Sequence, residues 1–123
     1  MSRNLAITLA AASVLAIAAS AASAHALLQR AVPSVGGTVS TSPTAIRLKF
    51  SEGVEPHFSS ITLQTQAGSR VPIGKPNIAP GDDTTFIAPV PHPLKAGMYT
   101  VTWHAVSVDT HKTQGSFQFT VQP

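Results

Sequence analysis

The sequence predicts an all-β fold, a Greek-key sandwich or barrel of about seven strands. From residue 26 to the end, short segments alternate apolar and polar residues with a period of two, the pattern of half-buried strands. Gly, Pro and Ser clusters interrupt these segments, and 10 prolines in 123 residues leave little room for long helices. No 3.6-residue apolar period competes with the strand pattern.

The first strand is expected near residues 26–32, with Leu27 and Leu28, and Pro33-Ser34-Val35-Gly36-Gly37 breaks it. Ile46, Leu48 and Phe50 then alternate with Arg47 and Lys49, so this strand has one apolar side and one charged side. Ser51-Glu52-Gly53 is a turn, after which residues 58–65 carry Ile61 and Leu63 in alternation. Residues 66–83 are polar and broken by Pro72 and Pro76. Proline cannot donate to a central ladder, so weak edge strands are expected there, around residues 70–73. Residues 84–88 resume strand character around Phe86, and Pro89-Val90-Pro91-His92-Pro93 is a rigid, extended connection. The strongest strand covers residues 98–107, where Tyr99, Val101, Trp103 and Ala105 share one face. Phe117, Phe119 and Val121 form the last strand. These two supply much of the aromatic bulk and are expected at the centre.

The start of the chain reads differently. Met1-Ser2-Arg3-Asn4 precede a run of Ala, Leu, Ile and Val that ends in Ala22-Ser23-Ala24, the charged start, apolar middle and small-residue exit of a secretory signal. Cleavage after Ala24 is expected, leaving residues 25–123 as one exported domain. No second apolar run follows, so no stable membrane insertion is expected after cleavage. Seven basic residues then face five acidic ones without forming a stripe, which argues against a nucleic-acid partner. Cysteine is absent, which excludes disulfides and thiolate metal sites. A transition metal must therefore be held by nitrogen and oxygen, with Met98 the only thioether after cleavage.

Cleavage at that point exposes His25, whose free α-amine and Nδ1 form a ready-made chelate. Far along the chain, Asp109-Thr110-His111 offers a carboxylate and a second imidazole two residues apart, on one side of an extended backbone. Three nitrogens and a carboxylate suit the tetragonal preference of Cu(II) better than the tetrahedral preference of Zn(II). Alone, the Asp-Thr-His triplet reads equally as a polar turn. Joined to a histidine at the expected mature terminus, it reads as a metal site that exists only after export.

The residues that follow carry a family resemblance. His25-Ala26-Leu27-Leu28 with Pro33, Leu48-Lys49-Phe50-Ser51-Glu52, Pro93-Leu94-Lys95-Ala96-Gly97-Met98-Tyr99 and the run from Trp103 through Ser107 and Asp109 to His111 resemble the CopC-like (CopC/PcoC) periplasmic copper-binding proteins. The resemblance covers the whole expected mature chain. It implies a cupredoxin-like or immunoglobulin-like sandwich that binds Cu(II) through His25, His111 and Asp109. It also implies a carrier or buffer in copper resistance or homeostasis that passes copper to an inner-membrane transport partner. Glu52 falls in the family's Ser-Glu position as an extra oxygen, the alternative being a solvated acid at a strand end. Some members carry a methionine-rich loop used for Cu(I), where this chain has Gln64-Thr65-Gln66-Ala67-Gly68-Ser69-Arg70, so a single Cu(II) site is expected.

Two other functions compete. A histidine-brace copper monooxygenase is the enzymatic alternative, disfavoured because Asp109 occupies coordination space that such a centre needs open. A metal-free interaction module is the other, since β-sandwiches host many functions. Of the remaining histidines, His57 and His92 are expected on the surface, and His104 has opposite strand parity to Trp103 and faces away from the core.

Overall fold

The computed structural model describes residues 26–123. The expected signal segment, residues 1–24, and His25 lie outside the described residues. Among the described residues the strands are β1 (Leu28–Val32), β2 (Thr38–Val39), β3 (Ala45–Phe50), β4 (Ser60–Thr65), β5 (Arg70–Val71), β6 (Asn77–Ala79), β7 (Asp82–Pro89), β8 (Gly97–Val106) and β9 (Lys112–Val121). They form a sandwich of two sheets, one ordered β1-β3-β7-β6 and the other β2-β9-β8-β4-β5. Every pairing is antiparallel except β2 with β9.

The alternation read from the sequence decides which residues enter the core. Ile46, Leu48 and Phe50 from β3 and Phe86 and Ala88 from β7 meet Ile61 and Leu63 from β4, Tyr99, Val101, Trp103 and Ala105 from β8, and Phe117, Phe119 and Val121 from β9. Trp103 stands edge-on to Phe50, their centroids 5.1 Å apart, while Tyr99 stacks on Phe119 at 5.6 Å. Such aromatic pairs add about 0.5–1.5 kcal/mol beyond the area they bury.

The strand count is nine rather than about seven, because β2 and β6 are pieces of two and three residues, too short to show a period. The edge character expected around the prolines holds: β5 and β6 are outermost in their sheets, and β5 stops at Val71, before Pro72. β8 lies centrally, whereas β9 is flanked on its far side only by the short β2. Residues 56–58 form a 3₁₀ turn instead of opening a strand. Phe58 stands 72% exposed, and β4 begins at Ser60, opposite His104. Its Pro56 has a fixed φ, and the Ser59 hydroxyl donates to the Glu55 carbonyl at 2.8 Å, tightening the turn.

The last strand begins at Lys112, five residues before its first aromatic. Its inward positions there are Thr113, opposite Ala105, and Gly115, opposite Trp103, so that stretch carries no apolar signal although it pairs as fully as the rest. Gly115 is required by its neighbour, because a Cβ at this position would lie 2.7 Å from Trp103 Cζ2 and 3.0 Å from Cε2. Gly115→Ala is expected to cost about 1–3 kcal/mol, the usual penalty of overpacking a tight core. Urea unfolding followed through Trp103 emission measures this, and an unchanged midpoint would show that the indole moves aside freely.

Candidate metal centre

One end of the sandwich gathers the residues with metal-binding chemistry. β8 and β9 are joined there by the five-residue loop 107–111, closed by the Val106–Lys112 pair. Ser107 continues the inward parity of Tyr99, Val101, Trp103 and Ala105 and is completely buried. A buried hydroxyl needs partners. Its Oγ donates to Asp109 Oδ1 and lies 3.2 Å from the His111 carbonyl, and it accepts from the His111 amide at 3.3 Å. The backbone closes around it through Ser107 N–H to the His111 carbonyl at 2.9 Å and Thr110 N–H to the Ser107 carbonyl at 2.8 Å.

This closure requires Thr110 to adopt φ 73°, a left-handed conformation that a β-branched residue rarely takes. It turns the chain between Asp109 and His111 so that the two side chains meet, Asp109 Oδ2 lying 3.2 Å from His111 Nδ1. Both side chains are about half exposed, at 44% and 49%. The Ser107 hydroxyl first, and His111 second, hold the Asp109 carboxyl down at about 2. Asp109 is therefore ionised at neutral pH. An ion held by both Asp109 Oδ2 and His111 Nδ1 requires Nδ1 to carry the lone pair and Nε2 the proton, and these two donor atoms stand 3.2 Å apart, side by side.

The chain enters the domain at the same end. Ala26 is completely buried, and its carbonyl accepts a 3.0 Å hydrogen bond from Thr113 Oγ1, two residues beyond His111. Leu27 is pinned to the end of β3 by its amide to Ser51 Oγ at 2.8 Å and by the Ser51 amide to its carbonyl at 2.9 Å. His25, the residue before Ala26, lies outside the described residues.

Glu52 sits half-buried in the connection after β3. That connection is laced to the β8–β9 loop: the Val108 amide donates to the Gly53 carbonyl at 3.0 Å, Val54 bridges to Ser107, and the Glu55 amide donates to the Val106 carbonyl at 2.8 Å. Glu52 is thus one residue from a segment bonded to the Asp109 loop. Among the described residues, however, no three His, Asp or Glu side chains converge, so Asp109 and His111 stand as a pair without Glu52. His57 is exposed in the 3₁₀ turn, His92 is exposed between Pro91 and Pro93, and His104 is exposed on the outer face opposite Gln114.

All five acidic residues of the chain belong to this end: Glu52 and Glu55 after β3, Asp82 and Asp83 at the start of β7, and Asp109 in the β8–β9 loop. Sequence reasoning missed Ser107 and Thr113, which organise the loop and hold the chain entry. Ser107 did leave a signal, a serine on the core parity of the strongest strand; Thr113 left none.

A family model described as the CopC domain matches residues 28–122. Protein YobA of Escherichia coli K12 is 39% identical over 99 residues, which span 80% of each chain. Among solved structures, CopC from Methylosinus trichosporium OB3b superposes with a TM-score of 0.75 at 32% identity, covering 80% of this chain and 95% of that one. PcoC, a methionine-rich copper resistance protein from Escherichia coli, gives 0.72 at 34% identity, covering 80% of this chain and 100% of that one.

Removing the Ser107 hydroxyl tests the loop electrostatics. In Ser107→Ala, the Asp109 carboxyl should titrate upward from about 2 toward the ordinary range near ~3.9, read from its carboxyl carbon shift. A depressed carboxyl stabilises the fold fully above its unfolded value and ceases to do so as pH falls through its folded value. The share of acid destabilisation that this carboxyl contributes in the parent, as pH falls from the ordinary carboxylate range toward about 2, should accordingly shrink in Ser107→Ala. An unmoved Asp109 titration would assign the depression to His111 instead.

Proposed function

The chain belongs to the CopC family of copper-resistance proteins, and from that premise we propose that it is an exported Cu(II) carrier or buffer, not an enzyme. In this reading, removal of residues 1–24 frees the His25 amine. The ion is then held by that amine and Nδ1 together with the His111 imidazole and the Asp109 carboxylate. Glu52 is a supplementary oxygen, near enough through Gly53 to approach a bound ion without belonging to the Asp109–His111 pair.

The observation that carries this reading is the Thr113–Ala26 hydrogen bond. It anchors the residue after His25 beside the strand that begins immediately after His111, across 87 residues of sequence. The donor chemistry agrees. Nitrogen and carboxylate ligands in a roughly planar set suit Cu(II), the tightest-binding divalent ion of its row. Cu(I) prefers thiolates and thioethers. The only methionines here are Met1 and Met98, in contrast to the methionine-rich PcoC.

A preformed pair holds an ion without ordering a loop around it. Asp109 and His111 already touch, and the Ser107 hydroxyl fixes the carboxylate in place, so binding needs only the amino-terminal arm. An inner-membrane copper transporter is the partner that would accept the ion.

Electron paramagnetic resonance with one equivalent of Cu(II) tests the site. Protein beginning at His25 should give a nitrogen-rich tetragonal spectrum. The same protein with one extra residue ahead of His25 should lose it and bind at least about 100-fold more weakly, roughly 2.7 kcal/mol. His111→Ala should alter the spectrum with the fold unchanged. Identical spectra and affinities for the extended and unextended forms would overturn the assignment, as would an exported protein whose mass places its first residue elsewhere.

A further inference from the structure

The outer face of the four-stranded sheet carries an arrangement that copper binding does not use. Arg30 on β1 lies directly opposite Lys49 on β3, and Arg47, two residues along β3, lies opposite Val32. Residues two apart on a strand share a face, and directly opposed residues have Cβ atoms about 4.5–5.5 Å apart. Three cations therefore occupy adjacent positions of one exposed surface. Like charges directly opposed across an antiparallel pair destabilise it. A local rule broken in this way, without an internal partner for every charge, marks a place that serves something other than stability.

The partners present do not neutralise the group. Asp82 is the one carboxylate in reach, 3.6 Å from Lys49 Nζ. Its oxygens are already occupied: Oδ1 by the Thr84 amide at 3.0 Å and the Thr84 hydroxyl at 2.5 Å, Oδ2 by the Thr85 hydroxyl at 2.7 Å. Lys49 itself donates to Thr84 Oγ1 at 2.5 Å. The side chains of Arg30 and Arg47 make no hydrogen bond or ion pair within the described residues. Together, Arg30, Val32, Arg47, Lys49, Asp82 and Thr85 line a cleft of about 360 Å³. That is within the size range of small-ligand sites. Three cations and one carboxylate leave a local charge of +2.

We propose that this cleft binds a phosphate group, with Arg30 and Arg47 as its two-pronged donors and Lys49 as a third cation held in place by Asp82 and Thr84. A phosphomonoester carries about −1.5 to −2 charge at neutral pH and matches the local +2, whereas a carboxylate matches half of it. Guanidinium groups present paired N–H donors in the geometry that phosphate oxygens accept. The phosphomonoester can belong to a soluble molecule or to the headgroup of phosphatidic acid at a membrane surface, and the terminal phosphate recognised is the same in both. The cleft shares no residue with the Asp109–His111 pair, so its occupancy and copper binding are separable.

The test uses protein purified in the form the cell delivers, without added copper. Inorganic phosphate is titrated against chloride at matched ionic strength and followed by backbone amide shifts. Saturable shifts confined to Arg30, Arg47, Lys49 and their neighbours are expected, weakened at least about tenfold, roughly 1.4 kcal/mol, in the double variant Arg30→Ala/Arg47→Ala. That variant should unfold at an equal or higher urea concentration than the parent, because it removes repulsion without touching the core. In a second arm, sedimentation with vesicles containing phosphatidic acid, a monoester, is compared with vesicles containing phosphatidylglycerol, an anionic diester. Binding to the phosphatidic acid vesicles in preference to the diester vesicles that disappears in the double variant assigns the lipid headgroup, and a response to inorganic phosphate alone assigns a soluble phosphate. Responses to both probes that fail to saturate, or that survive in the double variant, overturn the proposal.

Discussion

Because Cβ atoms alternate along a strand, every second residue of β8 from Tyr99 onward points between the sheets, and this parity continues past the end of the strand into Ser107. β8 is also hydrogen-bonded along its length to β9 on one side and to β4 on the other. A one-residue slip would turn Trp103 and Phe50 apart and carry Ser107 into solvent. The position of the loop that holds Asp109 and His111 is therefore a consequence of core packing tens of ångströms of chain away from it.

The loop shows the usual exchange between local comfort and chemistry. Thr110 accepts a backbone conformation disfavoured for its side chain, and Ser107 buries a hydroxyl at a position on the core face. In return a carboxylate and an imidazole meet at 3.2 Å in a half-exposed position, with the carboxylate kept ionised. The β3–β4 connection reinforces the arrangement by bonding to both sides of Ser107 through Gly53 and Glu55. Gly53 permits this because the Asp83 carboxylate occupies the space a side chain there would need. The opposed cations of the outer β1–β3 face follow the same logic at a second place, where surface repulsion is retained beside a cleft.

Much of the fold was legible because strands half-buried on a core announce themselves by alternation. Ile46, Leu48 and Phe50, and the run from Tyr99 to Ala105, were placed on the correct face from sequence spacing alone. The segments that were missed or shortened lacked that signal for definite reasons. β2 and β6 are too brief to repeat, the inward residues at the start of β9 are Thr113 and Gly115, and Pro56 diverts the chain before β4. At the candidate site, the residue types were legible and their support was not. Asp109 and His111 stood out by chemistry, while Ser107 and Thr113 look like ordinary polar residues until their neighbours are known.

The sequence by itself determined the all-β class, the inward face of each long strand, the absence of sulfur ligands beyond Met98 among the residues after the signal-like segment, and the pairing of a carboxylate with an imidazole in one short loop. These follow from period, composition and local spacing, which are properties of neighbouring residues. Only the tertiary structure decided that Ala26 rests against Thr113, that the Glu52 segment is laced to the Asp109 loop without Glu52 joining the pair, and that Arg30 faces Lys49 across β1 and β3. Each of these depends on strand register and sheet order. Those are set by the packing of side chains distant in sequence, so no local pattern encodes them.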